Sequence, residues 1–462
     1  MKQQQIEERI LARIDSNFED SIERLCALLR FPSISTDPAY ASSCKDCARW
    51  LEAKLKEIGF SVKFCETKGH PIIWACHEGP AEDSIHVIFY GHYDVQPVDP
   101  IELWTHSPFT PVRTEKTIIA RGASDDKGQL MTFIEACRAF KEEVGQLPLK
   151  VTILLEGEEE SGSENLAPFL EEHAKDLQAD YALICDTTMW DEDTAAITVG
   201  LRGILSQEII IQAANKDLHS GVYGGAAANP LLILSRVLGQ LHDTQGRITI
   251  EDFYQNVENV PQDVLAMWKN LDCKAEDFLG PVGLKKIYGE KNRHLLELLW
   301  ARPTAEINGI SGGYTGEGFK TVIPSIARAK VSFRLVKGQD PEKIREKFQE
   351  FVRTRVPEDC SVRFIDYGGA VAAQVPYDAP VLARARLALE REWKKDAVFI
   401  ASGGSIPVVS DLEKYLQIPS LLIGFALDED NIHSPNEKYN IKSYHKGQRS
   451  WARILCSLTE KI

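Results

Sequence analysis

The sequence of 462 residues lacks the long apolar and long basic segments that direct proteins to membranes or nucleic acids. It contains no run of about 18 consecutive apolar residues, which excludes an ordinary transmembrane helix. Acidic residues outnumber basic residues by 68 to 53, and the formal net charge of −15 disfavours binding along a nucleic-acid backbone or an anionic membrane. The opening segment, MKQQQIEER, contains no apolar signal core. We therefore expect a soluble, cytoplasmic protein without a nucleic-acid or membrane partner.

Several short motifs are also missing or incomplete. The ten cysteines include one C-x-x-C pair, Cys44 and Cys47, which would suit a redox pair or half of a zinc site. No second pair stands at zinc-ribbon spacing, so the pattern favours reduced structural thiols. The glycine-rich segment 312–318 is separated from Lys320 by Phe319, which excludes a phosphate-binding G-K-[ST] loop.

What the sequence does contain is an alternation of helical patterns with short, nearly continuous apolar runs. Helical periodicity covers about the first 60 residues and returns at 128–143. Runs typical of buried strands occur at 85–90, 151–155, 181–185 and 420–423. This alternation predicts an α/β fold, a doubly wound domain with a mostly parallel sheet.

The middle of the chain has a different pattern. Segments 206–214 and 327–336 alternate apolar and polar residues, as half-exposed antiparallel strands do, and helices are predicted at 230–241 and 341–352. We therefore predict an inserted α+β domain. The predicted division is residues 1–202 and 382–462 for the catalytic domain and 203–381 for the inserted lid and dimerisation domain.

Histidine and carboxylate residues follow the predicted buried strands. Such residues are His92 and Asp94 after 85–90, the acidic segment 156–160 after 151–155, Asp186 after 181–185, and His433 beyond 420–423. The loop 121–128 adds Asp125 and Asp126. Because ligands bind beyond the carboxyl ends of strands in open α/β sheets, these residues predict a metal site.

Two histidines and at least three carboxylates exceed what one catalytic zinc normally takes from a protein. They suit a two-metal site in which one carboxylate bridges ions about 3.5–4 Å apart. Such a site needs a general base, and the pair Glu159 and Glu160 offers one beside a ligand.

The motifs together resemble the dinuclear zinc aminoacylases and carboxypeptidases called the M20 metallopeptidases, and among them the cytosolic non-specific dipeptidases and carnosinases. The resemblance extends over nearly the whole chain in the motifs GHYDVQP (91–97), RGASDDKG (121–128), LEGEEESGS (155–163), DLHSGVYGG (217–225), KTVIP (320–324), SFRL (332–335), GGSIP (403–407) and HSPNE (433–437). It implies a homodimeric metallodipeptidase.

The resemblance also implies a role for each residue of the metal site. His92 and Asp186 would hold one ion, Glu160 and His433 the other, and Asp125 would bridge them. Asp94 would orient His92. The peptide bond between Asp125 and Asp126 would be cis, as is common in the family. The expected cofactor is two divalent ions per subunit, Zn²⁺ first, with Mn²⁺ and Co²⁺ as alternatives.

Further roles implied by the resemblance concern the substrate. Glu159 would be the base that activates a water bridging the metal ions, and His219 would stabilise the oxyanion, reaching the partner subunit's site in a dimer formed by the inserted domain. Arg334 would bind the free carboxylate of the substrate, with Thr321 and Ser405 nearby.

The expected reaction is hydrolysis of the amide bond in dipeptides or short peptides with a free C-terminal carboxylate. An N-acyl-amino-acid deacylase of the acetyl or succinyl type, with the same two-metal site, is the alternative. A non-catalytic metal-dependent binding protein and a two-metal phosphoesterase are less favoured, since Glu159 is retained and the chain is acidic. Tyr367 stands where carnosinase-like relatives have a histidine before Gly-Gly, so the resemblance does not define the preferred substrate side chain.

Overall fold

The computed structural model describes residues 2–403 and 407–459. The chain divides into two compact units: the first comprises Met1–Val199, Val375–Ile400 and Pro407–Ile462, and the second Gly200–Gln374 and Ala401–Ile406. The sequence pattern predicts borders at 202/203 and 381/382 and does not separate Ala401–Ile406 from its neighbours. The two divisions differ because hydropathy patterns mark strands and helices without showing which unit a strand end joins.

The helices and strands alternate through most of the chain. The helices are α1 (Lys2–Ser16), α2 (Phe18–Leu29), α3 (Ala41–Glu57), α4 (Lys127–Val144), α5 (Leu166–His173), α6 (Ser220–Tyr223), α7 (Pro230–Leu238), α8 (Gln262–Asn270), α9 (Ala275–Leu279), α10 (Leu295–Trp300), α11 (Pro341–Arg353), α12 (Pro380–Trp393), α13 (Pro407–Asp411) and α14 (Ile441–Leu458). Within residues 2–403 and 407–459, no helix combines the length and apolarity needed to cross a membrane.

The strands are β1 (Ser61–Cys65), β2 (Ile72–His77), β3 (His86–His92), β4 (Val112–Arg113), β5 (Thr117–Ile119), β6 (Lys150–Glu156), β7 (Tyr181–Ile184), β8 (Ala196–Leu201), β9 (Gly203–Gln212), β10 (Leu218–His219), β11 (Thr304–Gly312), β12 (Val322–Ile323), β13 (Ile326–Leu335), β14 (Ser361–Ala370), β15 (Ala373–Gln374), β16 (Val398–Ser402), β17 (Ser420–Leu422) and β18 (Lys438–Asn440).

The first unit is built on a mixed sheet with the strand order β1-β2-β6-β3-β7-β17-β8, in which β16 also pairs with β8. Its four central strands, β6, β3, β7 and β17, are parallel to one another. Antiparallel pairs extend the sheet on both sides, from β6 through β2 to β1 and from β17 to β8. The predicted α/β fold with a parallel core is therefore confirmed. The sheet as a whole is mixed, because its outer strands run antiparallel.

The core of this unit explains why the central strands read as continuous apolar runs. Strands β3 and β6 are buried from their second residue onward, as strands covered on both faces are. Phe133 of α4 stacks on Phe89 of β3 with ring centroids 3.9 Å apart, and Trp451 of α14 meets Phe89 edge-on at 5.9 Å. Helix α4 ends at Gly145, whose φ of +81° suits glycine. This packing holds the carboxyl ends of the parallel strands in place.

The second unit contains a four-stranded antiparallel sheet in the order β11-β13-β9-β14. Its core combines alternate residues of these strands, such as Ile209 and Phe333, with apolar residues of α7 and α11, such as Leu234 and Phe348. Helices α7 and α11 both begin at proline, where the side chains of the preceding Asn229 and Asp340 accept a backbone N–H of the first turn. The alternating pattern in the sequence thus reflects a sheet with one face against helices.

Candidate metal centre

The structure brings the five predicted metal ligands together in the first unit. His92 is the last residue of β3, and Asp125 lies in the loop before α4. Glu160 lies in the short turn after β6, Asp186 in the loop after β7 and His433 in the loop before β18. Strands β3, β6 and β7 are parallel neighbours. Residues that follow their carboxyl ends therefore meet at one edge of the sheet.

The five side chains form two groups of three that share Asp125. In the first, His92 Nε2 lies 3.1 Å from Asp125 Oδ1 and 3.9 Å from Asp186 Oδ2. In the second, His433 Nε2 lies 2.9 Å from Asp125 Oδ2 and 3.3 Å from Glu160 Oε1. Within each group the potential ligand atoms lie within 4.8 Å of one another. Each oxygen of Asp125 thus faces a different group, as a bridging carboxylate requires.

Asp94 contacts one residue of each group, His92 and Glu160. Its Oδ1 atom lies 3.3 Å from His92 Nδ1, on the side of the imidazole opposite Asp125. Its Oδ2 atom accepts the backbone N–H of Glu160 at 3.1 Å. Both His92 and Asp94 are fully buried. The backbone carbonyl of Asp94 lies 3.2 Å from the same His92 Nδ1 atom, at hydrogen-bond distance. A hydrogen bond to this nitrogen fixes the orientation of a ligand histidine.

The charges in this cluster fit a site for cations. Burial, together with the neighbouring charge of Asp125, raises the pKa of Asp186 to about 8. Hydrogen bonds to Asp125 and Glu160 raise the pKa of His433 to about 10. The carboxylates therefore repel one another and attract positive charge. The mixed set of imidazole and carboxylate donors suits divalent ions of the first transition row, zinc included.

Glu159 lies between Glu158 and Glu160 in the turn after β6, and its side chain is half-buried. Burial raises its pKa, while the charge of His92 acts in the opposite direction. A carboxylate whose pKa is raised toward neutrality accepts and returns protons more readily at physiological pH. The peptide bond between Asp125 and Asp126 is cis, as the resemblance implied.

Reasoning from the sequence gave no role to Gln96, whose side chain contacts a predicted ligand. Gln96 Nε2 donates to Glu160 Oε2 at 2.7 Å, so that only the other oxygen of Glu160 faces His433. The signal was present in GHYDVQP, where Gln96 stands two residues beyond Asp94.

The residues predicted to bind substrate belong to the second unit. His219 is exposed at the end of β10, and its Nδ1 atom accepts the backbone N–H of Gly221 at 3.0 Å. Thr321 is exposed and accepts the N–H of Ser220 through its carbonyl at 3.1 Å. Arg334 lies on β13 opposite Ile204 of β9. Ser405 lies outside the described residues.

Comparisons with known proteins agree with this architecture. Residues 88–457 match peptidase family M20/M25/M40. The Cys-Gly metallodipeptidase DUG1 of Saccharomyces cerevisiae is 30% identical, over 96% of this chain and 97% of its own. The Beta-Ala-His dipeptidase of Rattus norvegicus is 28% identical, over 81% of this chain and 77% of its own. The M20 family metallo-carboxypeptidase Sso-CP2 from Sulfolobus solfataricus has a similar structure, with a TM-score of 0.77 and 30% identity over 95% of this chain and 99% of its own.

The chain therefore belongs to peptidase family M20/M25/M40. The predicted fold class, an α/β catalytic domain with an inserted α+β domain, and the predicted enzyme class, an M20-type metallodipeptidase, are confirmed. Enzymes of this family use divalent metals, which agrees with the two groups of donor atoms around Asp125.

Proposed function

We propose that this protein hydrolyses the amide bond of dipeptides or short peptides that end in a free carboxylate. The proposed cofactor is two divalent ions, with Zn²⁺ as the expected metal. The observation that carries the proposal is the pair of three-residue groups that share Asp125 through its two oxygens. The Cys-Gly metallodipeptidase and the Beta-Ala-His dipeptidase among the relatives support a substrate of dipeptide size.

His92 and Asp186 would hold one ion, Glu160 and His433 the other, and Asp125 both. Ions bound there would polarise the scissile carbonyl and lower the pKa of water. The protein's own contribution is to hold its ligands in place before the substrate binds. Asp94 orients His92 through its backbone carbonyl, which lies 3.2 Å from His92 Nδ1.

Proton transfer is assigned to Glu159. It would take a proton from the attacking water and return it to the amine that leaves when the C–N bond breaks. Burial supports this role because it raises the pKa of Glu159. A base acting through water needs no covalent intermediate.

Substrate recognition is assigned to the second unit. His219 would donate to the oxyanion and Arg334 would bind the C-terminal carboxylate, with Thr321 and Ser405 beside it. In support, Arg334 has no ion-pair partner within the part of the chain that the structure describes. Its charge also adds to the effect of burial in lowering the pKa of the nearby Arg202 to about 10. Two cationic groups, Arg334 on β13 and Arg202 between β8 and β9, favour an anionic ligand.

The proposed assembly is a homodimer formed through the second unit, in which His219 serves the partner's metal centre, and the proposed location is the cytoplasm. Two observations support the action of His219 in the partner's site. His219 is exposed, and its one described side-chain hydrogen bond is local, with the backbone N–H of Gly221.

The test compares a panel of dipeptides with N-acetyl and N-succinyl amino acids, and elemental analysis of the same preparation gives the metal content. We expect two ions per chain and hydrolysis of dipeptides at a kcat/KM at least about tenfold above that of the acyl amino acids. The reverse preference would assign the protein to the N-acyl-amino-acid deacylases. A preparation that hydrolyses dipeptides without bound metal would contradict the proposal.

A further inference from the structure

A buried carboxylate outside the two ligand groups holds the loop that carries Asp125. Glu437 is fully buried and lies directly before β18. Its Oε2 atom accepts Arg121 Nη1 at 2.8 Å and the backbone N–H of Gly122 at 2.9 Å. Its Oε1 atom accepts the backbone N–H groups of Ser124 at 2.9 Å and Asp125 at 3.1 Å. One side chain thus binds four donors of a single loop.

Three of the four donors are backbone groups, so these bonds constrain the course of the loop itself. The fourth group, the guanidinium of Arg121, compensates the charge of Glu437 and is also buried. The backbone carbonyl of Glu437 adds a further bond, from the N–H of Ala120 at 3.0 Å. Asp125 donates its own backbone N–H to Glu437. Glu437 therefore fixes the backbone position from which the Asp125 side chain extends.

The same residue is close in sequence to the second histidine. His433 stands four residues before Glu437 and has a left-handed backbone with φ of +60°, as does Asn436 with φ of +62°. Such conformations are unfavourable for residues other than glycine and persist where the surroundings enforce them. Asn436 is held by the N–H of Thr105 at 2.8 Å and by the carbonyl of Leu103 at 2.9 Å.

We propose that Glu437 is a positioning residue of the metal centre, which holds the loop of Asp125 in register with the segment of His433. Glu437 belongs to neither of the two groups of potential ligands. Since Asp125 belongs to both ligand groups and His433 to one, loss of this contact weakens both groups together. The inference rests on the metal-binding role proposed above.

A parallel contact between the same two segments supports this view. Ser124 Oγ donates to Asp430 Oδ2 at 2.8 Å, and the same oxygen accepts the N–H of Leu427 at 2.8 Å. Asp430 is almost fully buried. The two segments are therefore joined on both sides of His433, by Asp430 before it and by Glu437 after it.

The test is Glu437→Gln, which keeps the size of the side chain but replaces one acceptor oxygen with an amide that faces N–H donors. The affinity for Zn²⁺ is measured by competition with a chromophoric chelator, and bound ions are counted by elemental analysis. We expect a loss of affinity of about 10–100-fold, as is typical when a partner of metal ligands is removed. Both ions should be lost in parallel.

Glu392→Gln is the matched control. Glu392 is also buried and accepts two arginines, Arg449 Nε and Arg453 Nε, each at 2.8 Å, in the same unit. The substitution Glu392→Gln should lower the midpoint of thermal unfolding of the metal-free protein and leave the affinity for Zn²⁺ unchanged. Equal loss of affinity in the two variants would reduce Glu437 to a general stabilising residue, and unchanged affinity in Glu437→Gln would also overturn the inference.

Glu437→Asp keeps the test decisive if Glu437→Gln does not fold. The shorter side chain retains the charge but cannot reach all four donors, so we expect an intermediate loss of affinity, and an affinity equal to that of the wild type would contradict the inference. Failure of the proposed metal-binding role is distinguishable, because the wild-type protein itself would then bind no Zn²⁺ at these groups. A different substrate preference would leave the Zn²⁺ measurements unaffected.

Discussion

The two units of the molecule hold their candidate functional residues in opposite ways. In the first unit, His92 and Asp94 are fully buried, and every predicted metal ligand, the exposed His433 included, lies close to another one. In the second unit, His219 and Thr321 are exposed, and Arg334 projects from a half-exposed strand. A group of ligands must be held in place before its ion binds, whereas residues that bind a substrate or a partner must remain accessible.

This difference determines what a substitution should change. A change in the first unit should alter metal content unless it affects the base alone. A change in the second unit should alter turnover or substrate affinity and leave the metal in place. Four predictions test this division, in the order of the expected effect.

The largest effect is expected for Glu159→Gln, the first-unit change that should spare the metal. We expect kcat to fall by about 10²–10⁴-fold, because general-base catalysis typically contributes this much. Metal content by elemental analysis should stay near the wild-type value. Glu158→Gln is the control, since Glu158 instead accepts the N–H of His70 and the amide of Asn165. If Glu159→Gln loses metal together with activity, the two roles assigned to Glu159 and Glu160 are reversed or shared.

The next largest effect is expected for His219→Ala. We expect a loss in kcat of about 10²–10³-fold, as for removal of an oxyanion donor, with unchanged metal content. The test of its action across a dimer is to mix His219→Ala with Glu159→Gln under conditions of subunit exchange. Half of the sites in each mixed dimer would then combine an intact Glu159 with an intact His219, and activity should return. Without recovery, each subunit supplies its own histidine or the protein is not a dimer.

A third prediction concerns the bridging role of Asp125. Asp125→Ala should weaken Zn²⁺ binding at both groups by about 100-fold or more, since even outer partners of ligands are worth 10–100-fold. Asp186→Ala removes a residue of one group and should release one ion only. Elemental analysis after dialysis against a graded chelator separates the two cases. Equal loss of a single ion in both variants would contradict a shared carboxylate.

The smallest effect is expected for Arg334→Ala, which should raise KM by about 10–100-fold because hydrogen bonds to charged groups contribute roughly 1.5–3 kcal/mol. The variant should no longer distinguish a dipeptide from its C-terminal amide. Arg328→Ala is the matched control on the same strand, because Arg328 already faces Glu208 at 3.4 Å. A rise in KM that is the same for the dipeptide and the amide would exclude the assigned role.

Much of the fold could be predicted because local pattern and tertiary environment agree. The apolar runs at 85–90 and 151–155 correspond to β3 and β6, and the helix predicted at 128–143 corresponds to α4. The antiparallel outer strands of the first sheet were not predicted, since strand direction depends on how connections cross the sheet. Neither was the contact of Gln96 with Glu160, which joins residues 64 positions apart.

The sequence alone predicts which kinds of ligand follow which strands, since His92, Glu160 and Asp186 stand within a few residues of apolar segments that must be buried. The three-dimensional structure decided between neighbours. Asp125 faces the histidines, whereas the adjacent Asp126 is fully buried and accepts the backbone N–H of His92 at 3.2 Å.

The acidic run shows the same division. Glu158 is bound by Asn165 and the backbone of His70, while Glu160 lies beside His433. Consecutive residues share almost the same sequence surroundings, yet their side chains point in different directions from the backbone. Only the packing of distant segments around them determines which carboxylate meets a histidine and which meets an amide.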